Sequence, residues 1–504
     1  MDTIPTTLPF DDGDTVVFFG DSLTHGGRYI KYITDFYRTR YPGRRIRFVN
    51  SGIGGDTAGG AMNRIPEDIA EYDPTWVVFH FGMNDVGRWA YNDESSPETL
   101  KTRAGAYEAY CRNLDSIVRK VAEAAPRAKF IYMTPTVYDD TAIPLDLPAD
   151  ANGWAAVNQK GCSVGLSMMA GHVLSKAERD NALGVDLYSP MQNCLMKRRA
   201  VGDMHFMLTR WDRVHPEEPG HSIMAWTFLK AQGVDPIVSD VAVDAVTRSV
   251  SRNVNADVSD IAPIEGGIAF TVLERALPCP VDAKAAPFAD EFDFAETLNR
   301  EMLSVSGLAQ GKYAVLIDGR QVGEWTAGEL DQGVNLAMAA TTPQAAQAAA
   351  VFGANERNRE TEYVLRNHHS GRWAYFGQTD VDDVDAFAKW FAGRNETGYF
   401  AQFVPGYLEY WPHYKETRAA LLAEQEKVFA LANPKPHRYE IATLLQPRSW
   451  TTFRGVTSTR TTSGGPMRST APMCSGRSRL HGRQTGTRRS LRPRRSSSPI
   501  SVRG

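Results

Sequence analysis

Cysteine is scarce in this 504-residue sequence, and long apolar runs are missing from it. The five cysteines are scattered and never form a CxxC pair, which argues against a disulfide framework or a zinc site and predicts reduced thiols. No apolar run approaches the roughly 18 residues that a membrane helix needs. The opening MDTIPTTLPFDDGD lacks the basic and apolar regions of a secretory signal, so we expect a cytoplasmic protein, with export left open.

Residues 448–504 lack lysine and acidic residues but contain 13 arginines, which leave the rest of the chain with a net charge of −16. This segment is rich in Ser, Thr, Gly and Pro and has no hydrophobic periodicity, so we predict a disordered tail. Because no aromatic residues interleave with its arginines after Phe453, we expect no nucleic-acid partner. The abrupt change in composition also fits a shifted reading frame.

Five apolar runs alternate with amphipathic stretches within residues 1–235, the predicted first domain. The runs are TVVFFG, RIRFVN, WVVFHFG, KFIYMTPTV and GVDLYS, and they are typical of buried parallel strands. Ser96 and Pro97 introduce a helix whose apolar residues recur every three or four positions from Leu100 to Val121. The alternation predicts a three-layer α/β/α sandwich around a five-stranded parallel sheet, with functional groups at the carboxyl ends of the strands.

The pattern of apolar and turn residues changes after this domain. Residues 236–341 contain short segments such as GGIAFTVLE, YAVLIDG and QVGEWT between turn residues, which predict a small antiparallel β module. Residues 342–447 read as helical, most clearly in KETRAALLAEQEKVFALAN, which ends at Asn433 before two prolines. The chain therefore divides into an α/β domain, a β module, a helical region and the arginine-rich tail.

Small and polar residues follow three of the predicted strands, in GDS, NSGIGGDT and GMND, and WDRVHPEEPGH precedes the last helix of the α/β domain. A serine hydroxyl becomes nucleophilic when an imidazole accepts its proton, and the imidazole needs an acceptor on its other nitrogen. Ser22, His215 and Asp212 can supply these three groups. The backbone N–H groups of Ser22 and Gly55 and the side-chain amide of Asn84 would donate to an oxyanion, each contributing about 3 kcal/mol.

These four blocks resemble the SGNH, or GDSL-type, hydrolase superfamily over roughly residues 14–232. FFGDSLT resembles the nucleophile block, NSGIGGDT the glycine block, GMND the asparagine block and DRVHP the Asp-x-x-His block. The resemblance implies a flavodoxin-like fold and gives Ser22, Gly55, Asn84, Asp212 and His215 the family's roles. Members cleave carboxylic esters, including acetyl groups on polysaccharides, lysophospholipids and thioesters, and we expect no cofactor here.

Each of these residues also has an ordinary structural interpretation. Ser22 could cap a helix, and Asp212 with His215 could be a turn pair. Asn84 with Asp85 could cap the helix that follows them. The order and spacing of all four blocks favour the catalytic interpretation over these separate ones.

Two kinds of cofactor site are disfavoured by spacing. Gly52, Gly54 and Gly55 follow a strand as dinucleotide-binding glycines do, but the third glycine position of that fingerprint is Thr57. A metal cluster would draw on residues that match no helical HxxxH pair and are joined by no cysteine: His205, Asp212, His215 and His221. We expect His221 to pack or cap at the start of its helix, and we expect no metal.

The sequence thus predicts a serine ester hydrolase that acts through an acyl-enzyme on short acyl esters, with O-acetyl esters of carbohydrates as the favoured substrate. Aromatic side chains in the later modules could stack on sugars, with core packing as the alternative. These side chains are Trp373, Tyr375, Tyr407, Tyr410 and Trp411. A lysophospholipase or thioesterase, and a non-catalytic carbohydrate-binding protein on the same fold, stay open as alternatives, as does the oligomeric state.

Overall fold

The computed structural model describes residues 9–92, 96–145, 147 and 158–444, so the predicted tail lies outside the described residues. The strands are β1 (Thr15–Gly20), β2 (Arg47–Gly52), β3 (Trp76–His80), β4 (Lys129–Met133), β5 (Leu183–Val185), β6 (Ile237–Asp244), β7 (Ser249–Val254), β8 (Ala256–Ile264), β9 (Gly267–Glu274), β10 (Arg300–Ser306), β11 (Lys312–Ile317), β12 (Arg320–Thr326), β13 (Val334–Asn335) and β14 (Pro436–Thr443).

The helices are α1 (Ser22–His25), α2 (Arg28–Arg40), α3 (Ile65–Asp68), α4 (Pro97–Ala124), α5 (Cys162–Arg179), α6 (Tyr188–Ala200), α7 (Glu218–Ala231), α8 (Phe294–Leu298), α9 (Ala327–Gln332), α10 (Pro343–Trp373), α11 (Val384–Ala392), α12 (Val404–Tyr410) and α13 (Tyr414–Ala432). Short 3₁₀ helices cover Gly60–Arg64, Ala70–Tyr72, Arg88–Tyr91, Ala286–Phe288, Tyr399–Phe403 and Trp411–His413.

The first five strands form one parallel sheet in the order β2-β1-β3-β4-β5. The interior strand β1 is apolar along its length because both of its faces are covered, as a parallel sheet requires. Helix α2 packs against α7, and α4 packs against α5. The predicted three-layer sandwich with a five-stranded parallel sheet is therefore confirmed.

Helix α4 begins as its sequence predicts. The Ser96 hydroxyl accepts from the Thr99 N–H at 3.1 Å, and Thr99 returns a bond to the Ser96 N–H, so the cap satisfies two groups at once. The apolar stripe is buried only in its second half, at Leu114, Val118 and Val121, whereas Leu100 is 51% exposed. The first turns of α4 thus project beyond the sheet.

The β module contains two sheets that enclose a second apolar core. One has the order β13-β10-β6-β7, in which the β6–β10 pair is parallel and the other pairs are antiparallel. The other is antiparallel, with the order β12-β11-β14-β9-β8. Because β14 follows the helices in sequence but pairs with β9 and β11, the helical region is inserted within the chain of the β module.

The helical region consists mainly of α10 and α13, which pack against each other and against α2 of the first domain. Helix α10 starts at Pro343 behind Thr342, whose hydroxyl accepts from the Ala345 N–H at 3.0 Å. Ion pairs and hydrogen bonds join α10 to the β2 end of the parallel sheet, as described below. No helix in the described ranges is long and apolar enough to cross a membrane.

The cysteines within the described ranges are all free thiols. Cys162, Cys194 and Cys279 are buried, and Cys111 is partly buried on α4. Burial raises the pKa of Cys162 and of Cys279 to about 12, so both are neutral. They serve as small apolar side chains of the core.

Helix α1 crosses the carboxyl end of β2 in backbone contact. A Cβ on Gly52 would stand 2.7 Å from the Cα of His25, closer than packed atoms allow. The side chain of Asn50 also bonds α1 to β2. It donates to the His25 carbonyl at 3.1 Å and accepts from the Gly52 N–H at 2.9 Å. Glycine at position 52 therefore lets α1 lie directly on the sheet edge.

We expect Gly52→Ala to displace α1 and to lower the free energy of unfolding by about 1–3 kcal/mol, the usual cost of overpacking. Gly43→Ala is the matched control, since a Cβ there meets nothing within 4 Å. Urea unfolding of both variants and the wild type measures the difference. Equal stabilities of the two variants would contradict the backbone contact between α1 and β2.

Candidate active site

Ser22 is the first residue of α1, two residues after the end of the interior strand β1. The helix cap is Asp21, whose Oδ1 accepts from the Leu23 N–H at 3.0 Å, so the serine hydroxyl is not needed for capping. Gly20 allows the turn to close, because a Cβ there would stand 2.6 Å from the His80 carbonyl oxygen of β3. Ser22 is thus held at the sheet edge with its side chain toward a pocket.

Asp212 and His215 lie in a tight loop that comes directly before α7. The Oδ1 of Asp212 accepts from the N–H groups of Val214 and His215, each at 3.0 Å. Arg213 between them has a φ of +63°, in the left-handed region, which turns the chain back on itself. The His215 Nδ1 then lies 2.7 Å from Asp212 Oδ2, and Nε2 lies 2.9 Å from the Ser22 hydroxyl.

These contacts determine which atoms of Asp212 and His215 carry a proton. Burial raises the pKa of Asp212, but the hydrogen bond and charge of His215 outweigh it, so the pKa lies below its ordinary value. An ionised carboxylate at Nδ1 requires the proton on that nitrogen, which leaves Nε2 free to accept from Ser22. The structure therefore brings three of the predicted residues into one hydrogen-bonded series.

Asn84 is bonded to Asp56, the residue that follows Gly55. Gly55 has a φ of +82°, which suits glycine, and the Asn84 Nδ2 donates to the Asp56 carbonyl at 2.8 Å. An amide nitrogen carries two hydrogens, so one remains for a substrate oxygen. Their assignment as oxyanion donors stays a prediction.

His25 holds the loop that contains Gly55 and was missed by the sequence analysis. Its Nδ1 accepts from the Gly54 N–H at 2.9 Å, which ties the loop to α1, three residues after Ser22. Burial and the nearby charge of Arg366 lower the pKa of His25 to about 3, so the imidazole is neutral and keeps its acceptor. Its position after FFGDSLT carries no local pattern that signals this contact.

A buried network of ion pairs and hydrogen bonds holds the carboxyl ends of β1 and β2. Arg64 donates to the carbonyls of Gly20 at 2.9 Å and Ser51 at 2.6 Å, and to Asp68 at 2.6 Å. Arg366 of α10 donates to the Gly52 carbonyl at 3.1 Å and also pairs with Asp68, at 2.7 Å. Asp68 thereby links the ends of β1 and β2 to a helix about 300 residues later. That distance in sequence hides the contact from pattern analysis.

The pocket beside Ser22 and His215 has a volume of about 400 Å³, within the range of small-molecule sites. Its other walls come from α1, from the start of α7 and from the helical region. The helical region contributes Arg359, Tyr363, Asn367 and Tyr399. Residues far beyond the α/β domain therefore shape the site.

The aromatic residues singled out in the sequence analysis do not line this pocket. Tyr375, Tyr407 and Tyr410 are buried in the helical region, at most 7% exposed, so these three rings pack in the core and are not free to stack on a sugar. Trp373 packs edge-on against Phe400, and Trp411 stacks on Tyr414. Core packing was the alternative, and the apolar cores between these helices require it.

Of the four residues considered for a metal site, Asp212 and His215 are bonded to each other, and the two remaining histidines have other contacts. His205 is exposed, with Nδ1 2.8 Å from the Ile143 carbonyl, and His221 is buried and stacked on Tyr29. His221 thus packs at the start of α7, as expected. Within the described ranges, no three His, Cys, Asp or Glu side chains are grouped so as to hold a metal ion.

A serine, an imidazole and a carboxylate are hydrogen-bonded in series at the carboxyl ends of the parallel strands. This is the arrangement of a serine hydrolase. The GDSL-like Lipase/Acylhydrolase family model matches residues 18–223. An acetylxylan esterase of Geobacillus stearothermophilus is 29% identical over 245 residues, which are 45% of this chain and 98% of that protein. The solved structure of a gut microbial diltiazem-metabolizing enzyme matches with a TM-score of 0.78 at 28% identity, over 88% of this chain and 100% of that one.

Residues 18–223 therefore belong to the GDSL-like lipase/acylhydrolase, or SGNH, family, as their four sequence blocks predicted. The chain is an esterase of this family, with a longer sequence beyond the matched region.

Burial raises the pKa of two carboxyl groups beside the site. Burial raises the pKa of Asp21 to about 6 and that of Asp85 to about 8, from 3.8 for an ordinary aspartate. The Asp85 Oδ1 accepts from the Ala58 N–H at 3.0 Å, but its Oδ2 has no partner among the described residues. The carboxyl of Asp85 thus favours a proton at neutral pH.

We expect Asp85 to make the protein less stable as the pH rises from 6 to 9. The folded state keeps a proton up to a pKa of about 8 that the unfolded chain has already released, so stability is lost as the pH passes that pKa. Asp85→Asn removes this titration, so its stability relative to the wild type should increase between pH 6 and pH 9. Urea unfolding at both values measures the change.

The control is Asp331→Asn, at an exposed position on α9. Its stability relative to the wild type should be the same at pH 6 and pH 9. A constant difference between Asp85→Asn and the wild type over this range would contradict a raised pKa at Asp85.

Proposed function

We propose that this esterase hydrolyses short acyl esters of carbohydrates, best acetyl esters, through a covalent acyl-serine. The observation that carries the proposal is the series Ser22–His215–Asp212, with distances of 2.9 Å and 2.7 Å, opening on a polar pocket. In this proposal Ser22 is the nucleophile, His215 the general base and then acid, and Asp212 the group that orients the imidazole.

The reaction takes place in two half-reactions. The Ser22 oxygen attacks the ester carbonyl carbon while its proton passes to His215 Nε2, and the oxyanion is held by N–H groups of Ser22, Gly55 and Asn84. The carbonyl–alkoxide bond then breaks, and His215 gives its proton to the leaving alcohol. Water attacks the acyl-serine with His215 again as the base, which releases the acid and restores the hydroxyl.

The surroundings of the oxyanion glycine support a short acyl group. A Cβ on Gly55 would stand 3.5 Å from the Cζ of Phe400, so this ring lies in contact distance above the loop. Phe400 is itself packed by Trp373 and Tyr399. The name of the acetylxylan esterase relative points to acetyl groups on a polysaccharide, and we extend that substrate class to this chain.

The lining of the pocket disfavours a lysophospholipase or thioesterase. Leu23 and Pro216 are its aliphatic side chains among the described residues, and the lining also includes two tyrosine rings, five charged side chains and three histidines. Long acyl chains need an apolar surface to leave water, and this pocket offers little. The intact hydrogen-bonded series at Ser22 disfavours a non-catalytic carbohydrate-binding protein.

We expect Ser22→Ala to lower the release of acetate from acetylated xylo-oligosaccharides at least a thousandfold, because the acyl-serine cannot form. Ser251→Ala, on β7 of the β module, is the control and should keep wild-type activity. Acetate release and melting temperature are measured for all three proteins. A Ser22→Ala variant with undiminished activity, or a wild type inactive on every ester tried, would refute the mechanism.

The acyl preference is tested by a series of p-nitrophenyl esters. We expect kcat/KM for the acetate to exceed that for the octanoate by at least about tenfold, because the longer chain would have to displace Phe400 or remain in water. Initial rates of nitrophenol release over the series give the values. A higher kcat/KM for the octanoate would favour the lysophospholipase or thioesterase alternative instead.

A further inference from the structure

We propose that Tyr363 and Tyr399 form a leaving-group subsite that binds a sugar ring of a neutral acetylated saccharide. This inference rests on the proposed function and deepens it, because it names the side chains that select the alcohol. Tyr363 lies on α10 and Tyr399 opens the 3₁₀ helix Tyr399–Phe403, so neither belongs to the α/β domain.

The two tyrosine rings lie beside the same part of the site, the bonded pair His25 and Gly54. The ring of Tyr363 lies 5.2 Å from that of His25, and the Tyr399 hydroxyl lies 3.0 Å from where a Cβ on Gly54 would stand. His25 and Gly54 are bonded to each other at 2.9 Å. Both tyrosines therefore stand over one wall of the pocket that Ser22 opens into.

Their exposure distinguishes these tyrosines from the others in the helical region. Tyr363 is 42% exposed and Tyr399 is 57% exposed, whereas Tyr375, Tyr407 and Tyr410 are buried. Single exposed rings are common, but two rings that share one pocket wall form an apolar surface that a ligand can cover. The C–H face of a sugar ring is apolar, and its hydroxyl groups lie at the edge, so it can stack on such rings while its edge stays hydrogen-bonded.

The position of His215 places this surface on the alcohol side of the ester. The leaving oxygen must receive its proton from His215 Nε2, so the alcohol has to lie on the side of the imidazole. The pocket is lined by His215 as well as by both tyrosines, whereas two of the three oxyanion donors, Gly55 and Asn84, are not among its described lining residues. Both tyrosines therefore share the pocket with the imidazole that protonates the leaving alcohol.

The charges around the pocket favour a neutral alcohol. Arg359 is 2.8 Å from Glu356 and donates to the Gly26 carbonyl at 3.1 Å, so its guanidinium is already held. Arg28 lies 3.7 Å from both Glu356 and Glu218.

Arg210 lies 3.6 Å from Glu217, so this third arginine is also paired with a carboxylate. A phosphate or carboxylate on the substrate would have to displace these partners, whereas hydroxyl groups can bond to arginine and glutamate alike. The amide of Asn367 adds a donor and an acceptor on the same wall.

The subsite lies outside the region shared with the shorter relative. The family model ends at residue 223, and the acetylxylan esterase match spans 45% of this chain. Tyr363 and Tyr399 are thus supplied by the added helical region, which gives that region a role in substrate choice.

The test compares two substrates that leave the same acetyl group on Ser22: acetylated xylobiose and ethyl acetate. Because the acetyl-serine is common to both, a change in the ratio of their kcat/KM values reports the alcohol alone. We expect Tyr363→Ala and Tyr399→Ala each to lower the ratio of xylobiose ester to ethyl acetate about tenfold, and Tyr→Phe at either position to preserve it.

Phe376→Ala is the matched control, because Phe376 is a 49% exposed ring of the helical region outside the described pocket lining. It should leave both substrates unaffected. Binding supplies a readout without turnover: Ser22→Ala should bind acetylated xylobiose in calorimetry, and Ser22→Ala with Tyr399→Ala should bind it about tenfold more weakly.

Several outcomes would overturn the subsite while sparing the proposed mechanism. These are an unchanged ratio in both alanine variants, an equal loss on both substrates, or a wild type that hydrolyses ethyl acetate but not acetylated xylobiose. Failure of the mechanism is seen separately, as hydrolysis of ethyl acetate by Ser22→Ala.

Discussion

The active-site edge of this protein depends on one buried carboxylate, Asp68, held between two arginines. Burial opposes its charge, but Arg366 and Arg64 outweigh that cost and keep its pKa below the ordinary value. Because both arginines also donate to carbonyls at the ends of β1 and β2, the ion network sets where those strands stop. Loss of either arginine would leave the buried Asp68 with one cation instead of two, so the network constrains the edge and the α10 helix together.

Three aspartates near the site show how environment divides one residue type into different roles. Asp212 has a hydrogen-bonded imidazole and two backbone donors, and it stays ionised. Among the described residues, Asp85 has one backbone donor and no cation in contact, so burial dominates and raises its pKa. Asp21 lies between these cases, since it caps α1 and also feels the charge of His215. The imidazole is thus paired with an ionised carboxylate, although a neighbouring carboxyl group, that of Asp85, favours a proton at neutral pH.

The helical region changes what the family fold can recognise. It packs on α2 and reaches the pocket through α10, whose Arg359, Tyr363 and Asn367 lie one helical turn apart along one face. The same helix carries Arg366, which bonds to the Gly52 carbonyl. The residues that line the pocket and the arginine that supports the strand ends are therefore placed on one helix.

The sequence by itself determined the local parts of this protein. The five buried strands, the Ser96 cap of α4 and the Asp212–His215 loop all follow from residues within a few positions of each other, as do the four blocks of the family. Only the tertiary structure decided the rest, because packing joined residues far apart in sequence: Arg366 with Asp68, β14 with β9, and Tyr363 with His25. The aromatic residues show the same division. Their sequence marked them as able to stack, but burial depends on which helix faces are covered, and that is settled only when α10, α12 and α13 pack together.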